Sequence, residues 1–372
     1  MDLDCLAEKV SAIREALRKE YCAEHERPWI VGFSGGKDST LVLHLVVEML
    51  LLVPPARRTR KVFVVSNDTG VESPVYQAHV DRALERLVTG LSALRVPVEV
   101  VKTGPEPDSG FWVNLLGRGY PAPNRNFRWC TDRMKIRPTT RFIREQVSAA
   151  GEVILLLGVR SAESQARAKR MARYQARASG GLSPHNDIPG CLVYQPIREL
   201  DDREVWTLLL QLRPPWGGSH ADLKKMYSEA SGGECPFVVD DTSSAGCGTG
   251  SARFGCWTCT VVEKDHSLDA MIENGFEHLE PLSLFRDRLK EVCATPEWRS
   301  KVRRTGQPGL GPLTREAREM LLSELLAVQD ATGMPLVTDH EIRLIQDQWA
   351  KDDAEAVLRE MPWVTGAAEG EP

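Results

Sequence analysis

At 372 residues the chain is long enough for one large domain with an appendage, or for two domains. Charged residues make up 27% and the formal net charge is −5, which excludes a chain-wide basic field that would draw in nucleic acid by bulk attraction. Nine cysteines, an odd number, speak against a disulfide framework and for thiol, metal or redox chemistry.

The start, Met1-Asp2-Leu3-Asp4, is acidic and leads into no signal-type apolar core. Residues 1–20 then carry Leu6, Val10, Ile13 and Leu17 on one face, an amphipathic lead-in helix. Strand-like runs follow at 28–33, 61–66, 96–102 and 153–158, with helical patterns between them at 39–53, 73–90 and 139–149. Ser73-Pro74 reads as N-cap and first residue of the second of these helices. The longest apolar stretch, Leu41 to Val53, is interrupted by His44 and Glu48 and is too short to cross a bilayer, so a cytoplasmic protein with no membrane partner is expected.

Apolar strands alternating with helices predict an α/β fold, a parallel twisted sheet with helices on both faces. From about 265 onward the pattern is almost wholly helical, at 284–293, 314–329 and 338–349, the last opening with a Thr338-x-x-Glu341 capping box. The expected division is an N-terminal helix at 1–25, an α/β domain at 26–230, a Cys-rich segment at 231–264 and a helical region at 265–372. The final residues, Thr365 to Pro372, are expected to fray.

The first strand runs into Ser34-Gly35-Gly36-Lys37-Asp38-Ser39, and an apolar helix follows. Two adjacent glycines let the backbone turn sharply and bring its N–H groups against an anion, Ser34 and Ser39 add hydroxyls, and Lys37 adds charge. A Walker A loop is excluded, because Lys37 is followed by Asp38. The bland alternative is a strand-to-helix turn that holds no ligand. Asn67-Asp68-Thr69-Gly70 follows the second strand, at the same carboxyl edge where ligands of such sheets gather.

Cys247-x8-Cys256-x2-Cys259 sets three thiols close together, and a C-x2-C turn offers two of them to one metal edge. A fourth ligand is needed. Cys130, within Arg128-Trp129-Cys130-Thr131-Asp132, is the first choice and Cys235 the second. Zinc and a [4Fe–4S] cluster both accept four cysteines, so the spacing leaves both open. Cys5, Cys22, Cys191 and Cys293 stand in ordinary contexts and read as incidental.

Two stretches are strongly basic. Residues 118–144 hold Arg118, Arg125, Arg128, Arg133, Lys135, Arg137, Arg141 and Arg144 against Asp132, with Tyr120, Phe127 and Trp129 interleaved. Residues 160–177 add Arg160, Arg167, Lys169, Arg170, Arg173 and Arg177 against Glu163. Such clusters suit a phosphate-rich ligand, ATP or nucleic acid, or else form solvated helix faces.

The intact Ser34–Ser39 loop resembles the pyrophosphate-binding loop of the ATP pyrophosphatases (PP-loop proteins, with an adenine nucleotide alpha hydrolase-like fold). Leu157-Gly158-Val159-Arg160-Ser161-Ala162-Glu163-Ser164-x-x-Arg167, with Gln195-Pro196-Ile197-Arg198 and Glu204-Val205-Trp206, is similar to their phosphoadenylylsulfate reductase branch. Within that branch, the strings Arg128 to Lys135 and Arg253 to Val262 resemble the DndC and SspD sulfurtransferases of DNA phosphorothioation, over about residues 28–290.

The resemblance implies an ATP pyrophosphatase that adenylates a DNA backbone oxygen and replaces it with sulfur. Lys37, Asp38 and Ser39 would be catalytic, Asp38 as a ligand of Mg²⁺. Ser34, Gly35, Gly36, Asp68, Thr69, Arg160 and Arg167 would line the nucleotide or DNA phosphates. It also implies an iron–sulfur cluster, with Cys130, Cys247, Cys256 and Cys259 as ligands and zinc as the alternative. DNA, a cysteine desulfurase and other phosphorothioation proteins would be partners.

The rivals are a sulfonucleotide reductase, which the lack of a C-terminal tail cysteine disfavours, and a tRNA thiolation enzyme, which the two strings fit less well. A nucleotide-gated scaffold of a DNA-modification complex is the rival from another class.

Overall fold

A computed structural model describes residues 3–163, 181–230 and 254–360. The chain divides into two compact units, each discontinuous in sequence: Met1–Asp68, Ser73–Gly104 and Lys135–Phe254 form one, and Thr69–Glu72, Pro105–Met134 and Gly255–Pro372 form the other.

The first unit contains, in chain order, α1 (Leu3–Tyr21), β1 (Trp29–Gly32), α2 (Lys37–Leu52), β2 (Val62–Asn67), α3 (Pro74–Ala93), β3 (Val98–Thr103), α4 (Arg137–Ala150), β4 (Val153–Leu156), β5 (Ser183–Pro184), β6 (Cys191–Tyr194), α5 (Asp202–Gln211) and α6 (Ala221–Glu229). The six strands make one sheet in the order β3-β2-β1-β4-β6-β5, parallel except for β5 against β6. Ile30 lies opposite Phe63 on one side and Leu155 on the other. These three, with Val65, Val153, Ile188 and Cys191, pack beneath Ile143 of α4. Their alternating neighbours Trp29, Val31, Val62, Val64 and Leu156 are also buried, as strands covered on both faces require.

Helix α2 is buried around nearly its whole circumference, because it lies against β1 and also meets α1 and α5. Its apolar residues Leu41 to Val47, broken only by the buried His44 rather than striped, are the sequence signature of that position. Pro74 takes the first position of α3 as expected, but the buried Ser73 hydroxyl makes no cap bond. Strand order reverses across β1 and β4, so the loops that leave these two strands flank the crevice where such sheets bind ligands.

The second unit holds α7 (His266–Glu273), α8 (Glu280–Ala294), α9 (Arg315–Thr332) and α10 (Asp339–Glu360). Trp112, Trp257 and Phe285 meet at its centre. A buried π-helical turn, Val113–Gly117, leaves carbonyls for distant donors. Trp349 Nε1 donates to Leu116 O at 2.8 Å, and Arg318 donates to Gly117 O. The C-terminal helices are thus part of this unit's core. The Thr338–Glu341 capping box forms with both reciprocal bonds, at 3.2 and 3.0 Å. Among the described residues no helix is long and apolar enough to cross a membrane.

Candidate nucleotide-binding site

The turn after β1 is made by Gly35, whose φ of +78° suits glycine and whose missing side chain is required: a Cβ there would lie 2.5 Å from Val80 Cγ2. Ser34 and Ser39 close the loop on itself. The Ser34 N–H donates to Ser39 Oγ at 3.2 Å, and Ser39 Oγ donates to Gly36 O at 3.0 Å. Tyr76 of α3 donates its hydroxyl to Ser34 O. Gly36 is the N-cap of α2 and supplies no capping side chain, so the cap position itself places no acceptor on the donors of the helix start.

Four charges surround this first turn. Arg160, just past β4, donates from Nε to Asp38 Oδ1 at 2.6 Å and from Nη2 to Asp202 Oδ1 at 2.8 Å. Lys37 Nζ sits 3.3 Å from Asp38 Oδ2 and 3.2 Å from the same Asp202 oxygen. The Lys37 and Arg160 side chains are only 10% and 3% exposed. Burial pulls the Lys37 pKa down, but the carboxylates of Asp38 foremost and of Asp202 outweigh it and hold the ammonium above its ordinary value. Lys37 is therefore a standing positive charge at neutral pH.

Gly158 lets these pieces meet: a Cβ at that position would lie 2.7 Å from Asp38 C, 2.8 Å from Asp38 O and 2.8 Å from Ser39 N. Tyr227 of α6 brings its hydroxyl to 3.4 Å from the Lys37 N–H, and its ring lies 5.8 Å from Lys37 Nζ. Phe254 stacks on Tyr76 at 4.7 Å and stands edge-on to Tyr227 at 5.0 Å. Burial raises the Tyr227 pKa, so the phenol stays protonated and available as a hydrogen-bond partner.

The expected loop residues Ser34, Gly35, Gly36, Lys37, Asp38 and Ser39 are thus together, with Arg160 among them. Arg160, expected to hold phosphate, is buried inside the ion network rather than on a solvated face, the alternative reading of its basic stretch. Arg167 lies outside the described residues. Asp68 stays in the sheet unit, where its N–H bonds Thr103 O at 2.8 Å. Sequence reasoning missed Asp202, Tyr227 and Tyr76. Asp202 had a visible signal, the Asp201-x-x-Glu204 capping box at the start of α5, which leaves the next carboxylate unassigned.

In the second unit the run 69–72 pairs with the C-x2-C segment. Glu72 bridges Cys256, and the Trp257 N–H donates to Val71 O at 3.1 Å. Thr69 donates from N–H and hydroxyl to Glu72 and lies 3.6 Å from Cys256 Sγ. Cys256-x2-Cys259 is a closed turn, with the Cys259 N–H on Cys256 O at 3.0 Å. The buried Arg286 pins the following backbone, donating to Cys259 O at 2.9 Å and Val262 O at 2.6 Å.

The turn has the donor chemistry and shape to offer a metal edge, and Cys130, Cys256 and Cys259 are half-buried in one unit. Among the described residues, no three His, Cys, Asp or Glu side chains are gathered so as to hold a metal. Cys247 and Cys235 lie outside the described residues. The basic stretch 118–144 is divided between the units at Met134, and Arg133 is tied inside its own unit to Tyr120 Oη at 3.0 Å.

Among solved structures, phosphoadenylyl-sulfate reductase from Candida auris overlaps 57% of this chain and 87% of its own, with a TM-score of 0.34 at 13% identity. The U34-tRNA thiolase NcsA of Methanococcus maripaludis, described with its [4Fe-4S] cluster, overlaps 77% of this chain and 80% of its own, with a TM-score of 0.32 at 12% identity. These overlaps are too slight to assign a reaction or a ligand. Uncharacterized protein MJ0066 of Methanocaldococcus jannaschii is 27% identical over 242 residues, which are 64% of this chain and 37% of that relative. The chain thus spans well under two thirds of that relative's length.

The model of the phosphoadenosine phosphosulfate reductase domain matches residues 28–262, from the start of β1 through the Cys256-x2-Cys259 turn. Over that span, which includes the glycine loop and Arg160, the chain belongs to the phosphoadenosine phosphosulfate reductase domain family.

Proposed function

We propose that this protein is an ATP-dependent sulfurtransferase of a DNA phosphorothioation system, of the DndC or SspD type. The observation that carries the reading is the pair of buried cations, Lys37 and Arg160, set around the first turn of α2 beside an uncapped glycine loop. Such a site suits a polyanion, and it concentrates positive charge where a departing pyrophosphate develops negative charge.

A backbone phosphodiester oxygen is a poor leaving group. In this reading a non-bridging oxygen of DNA attacks the α-phosphorus of ATP, the bond from that phosphorus to the bridging oxygen breaks, and pyrophosphate leaves. A sulfur nucleophile then attacks the DNA phosphorus, and AMP departs with the original oxygen. Lys37, Arg160 and the N–H groups of the loop hold the β and γ phosphates, and Ser34 and Ser39 orient them. Asp38, whose carboxylate oxygens accept from Lys37 and Arg160, would hold Mg²⁺, directly or through water, and the ion would offset charge on the phosphates. Arg167 and Asp68 would extend the site.

Cys130, Cys247, Cys256 and Cys259 would hold a [4Fe–4S] cluster, or zinc, and the cluster would bring sulfur-handling and redox chemistry. A cysteine desulfurase partner would supply the sulfur as a persulfide, and a thiol reductant, oxidised to the disulfide, would release it as the sulfide that attacks the DNA phosphorus.

Anaerobic incubation with Mg²⁺ and α-labelled ATP, with and without DNA or tRNA, tests the reading. AMP and pyrophosphate, raised by DNA and abolished in Lys37→Ala, are expected. ADP and phosphate, or no turnover, would refute it, and stimulation by tRNA alone would move the same chemistry to another substrate.

A further inference from the structure

The four charges around the loop are two buried cations and two anions in alternation, so the array is neutral before any phosphate arrives. Arg160 and Lys37 each touch both Asp38 and Asp202. The anions are not equivalent. Asp38 is 19% exposed and sits in the first turn of α2, where Gly158 presses against its backbone. Asp202 is 46% exposed and opens α5.

The start of α5 does not depend on the Asp202 carboxylate. Asp201 Oδ1 accepts from the Glu204 N–H at 2.8 Å, and Glu204 Oε2 accepts from the Asp201 N–H at 2.8 Å, which completes the cap. Asp202 instead turns one oxygen to Arg160 at 2.8 Å and Lys37 at 3.2 Å. A carboxylate so held presents what a phosphate edge would present, an acceptor between two donors.

We propose that Asp202 is the resident counter-ion of this site, occupying on Lys37 and Arg160 the place that phosphate oxygens take, and giving it up when a polyphosphate binds. The proposal rests on the reading of the loop as a polyphosphate site. Its physical basis is that the cations are enclosed by protein whereas the carboxylate is half in water. Buried charge without a partner is strongly destabilising, so Lys37 and Arg160 need an anion in every state. The anion that can exchange is the one with a path to solvent. Binding then swaps one anion for another, which sets a threshold: a monoanion gains little over the carboxylate, whereas pyrophosphate brings several charges to the same donors. Asp202 is a specificity-determining and positioning residue in this account, and it takes no part in bond making.

Calorimetric titration of the full chain with inorganic pyrophosphate, without Mg²⁺, tests this in wild type, Asp202→Asn, Lys37→Ala and Glu199→Gln. Glu199 pairs with the neighbouring Arg198 and controls for the loss of one surface charge. Asp202→Asn is expected to bind pyrophosphate about tenfold more tightly, the scale of one partly exposed charged hydrogen-bond pair. Glu199→Gln should stay within about twofold of wild type. During turnover Asp202→Asn should show a lower KM and stronger inhibition by pyrophosphate, a split that a structural defect would not produce. Asp202→Ser, which keeps a residue compatible with a helix start, gives the same reading if the amide disturbs folding. Equal or weaker binding by both variants overturns the proposal and leaves the loop assignment intact. Wild type that binds no pyrophosphate overturns both.

Discussion

Gly158→Ala probes the geometry of the site with one methyl group. The new carbon would meet Asp38 C at 2.7 Å, Asp38 O at 2.8 Å and Ser39 N at 2.8 Å. All three are backbone atoms in the first turn of α2, so no side chain can swing aside. Ordinary carbon contacts lie near 3.5 Å, and the loop after β4 must therefore part from α2 by roughly 0.7 Å. Overpacking of this kind costs about 1–3 kcal/mol. The larger effect falls on function, because Arg160 is two residues along and holds Asp38 at 2.6 Å. A displacement approaching 1 Å in a positioned group costs up to about a hundredfold in rate.

The assays are urea unfolding and pyrophosphate release from ATP. Gly158→Ala should lose about 2 kcal/mol of stability and one to two orders of magnitude in kcat/KM. Gly151→Ala is the contrast: its φ is +79° but a Cβ meets nothing within 4 Å. It should cost about 1–2 kcal/mol through backbone strain and leave pyrophosphate release unchanged. Wild-type stability and wild-type turnover in Gly158→Ala would refute the close approach on which the site's geometry depends.

Lys37→Ala removes the standing charge of the loop and should lower pyrophosphate release by about two to three orders of magnitude, measured with labelled ATP. The His44–His220 pair, with Nδ1 and Nε2 3.1 Å apart, is pushed down to about 4 on both rings, by burial first and for His44 also by the charge of its partner. Since 6.5 is the ordinary value, the unfolded chain takes up protons first, and stability present above pH 6.5 is lost as pH falls toward 4. The loss is about 3 kcal/mol per ring, and urea midpoints that show the same acid dependence in wild type and in a His44→Leu/His220→Leu variant would disprove it. Arg286→Leu strips the donors from Cys259 O and Val262 O and should cost about 3–5 kcal/mol, read from unfolding of the full chain. Cys256→Ser should reduce bound iron or zinc measured by elemental analysis, and unchanged metal content would remove Cys256 from the ligand set.

Much of the sheet unit was legible from periodicity. The runs at 28–33, 61–66, 96–102 and 153–158 became β1 to β4, because apolar strands bounded by turn residues have few other places to go. The short β5 and β6 escaped, since Ser183–Pro184 and Cys191–Tyr194 carry too few residues to set a period. The π-helical turn at Val113–Gly117 was also invisible, because it depends on donors from Arg318 and Trp349, more than 200 positions away.

The loop could be read from its residues alone because its chemistry is local: glycines to turn, hydroxyls and a lysine to meet an anion, an apolar helix behind them. That locality is why Lys37 could be picked out from sequence as a candidate charged group of the loop. The partners of that charge are another matter. Arg160, Asp202 and Tyr227 reach Lys37 or Asp38 only because strand order reverses between β1 and β4 and because α5 and α6 return to the start of α2. Sequence determined the composition of the loop. The three-dimensional fold decided which carboxylates neutralise its cations, because a Coulomb interaction depends on distance in space and takes no account of distance along the chain.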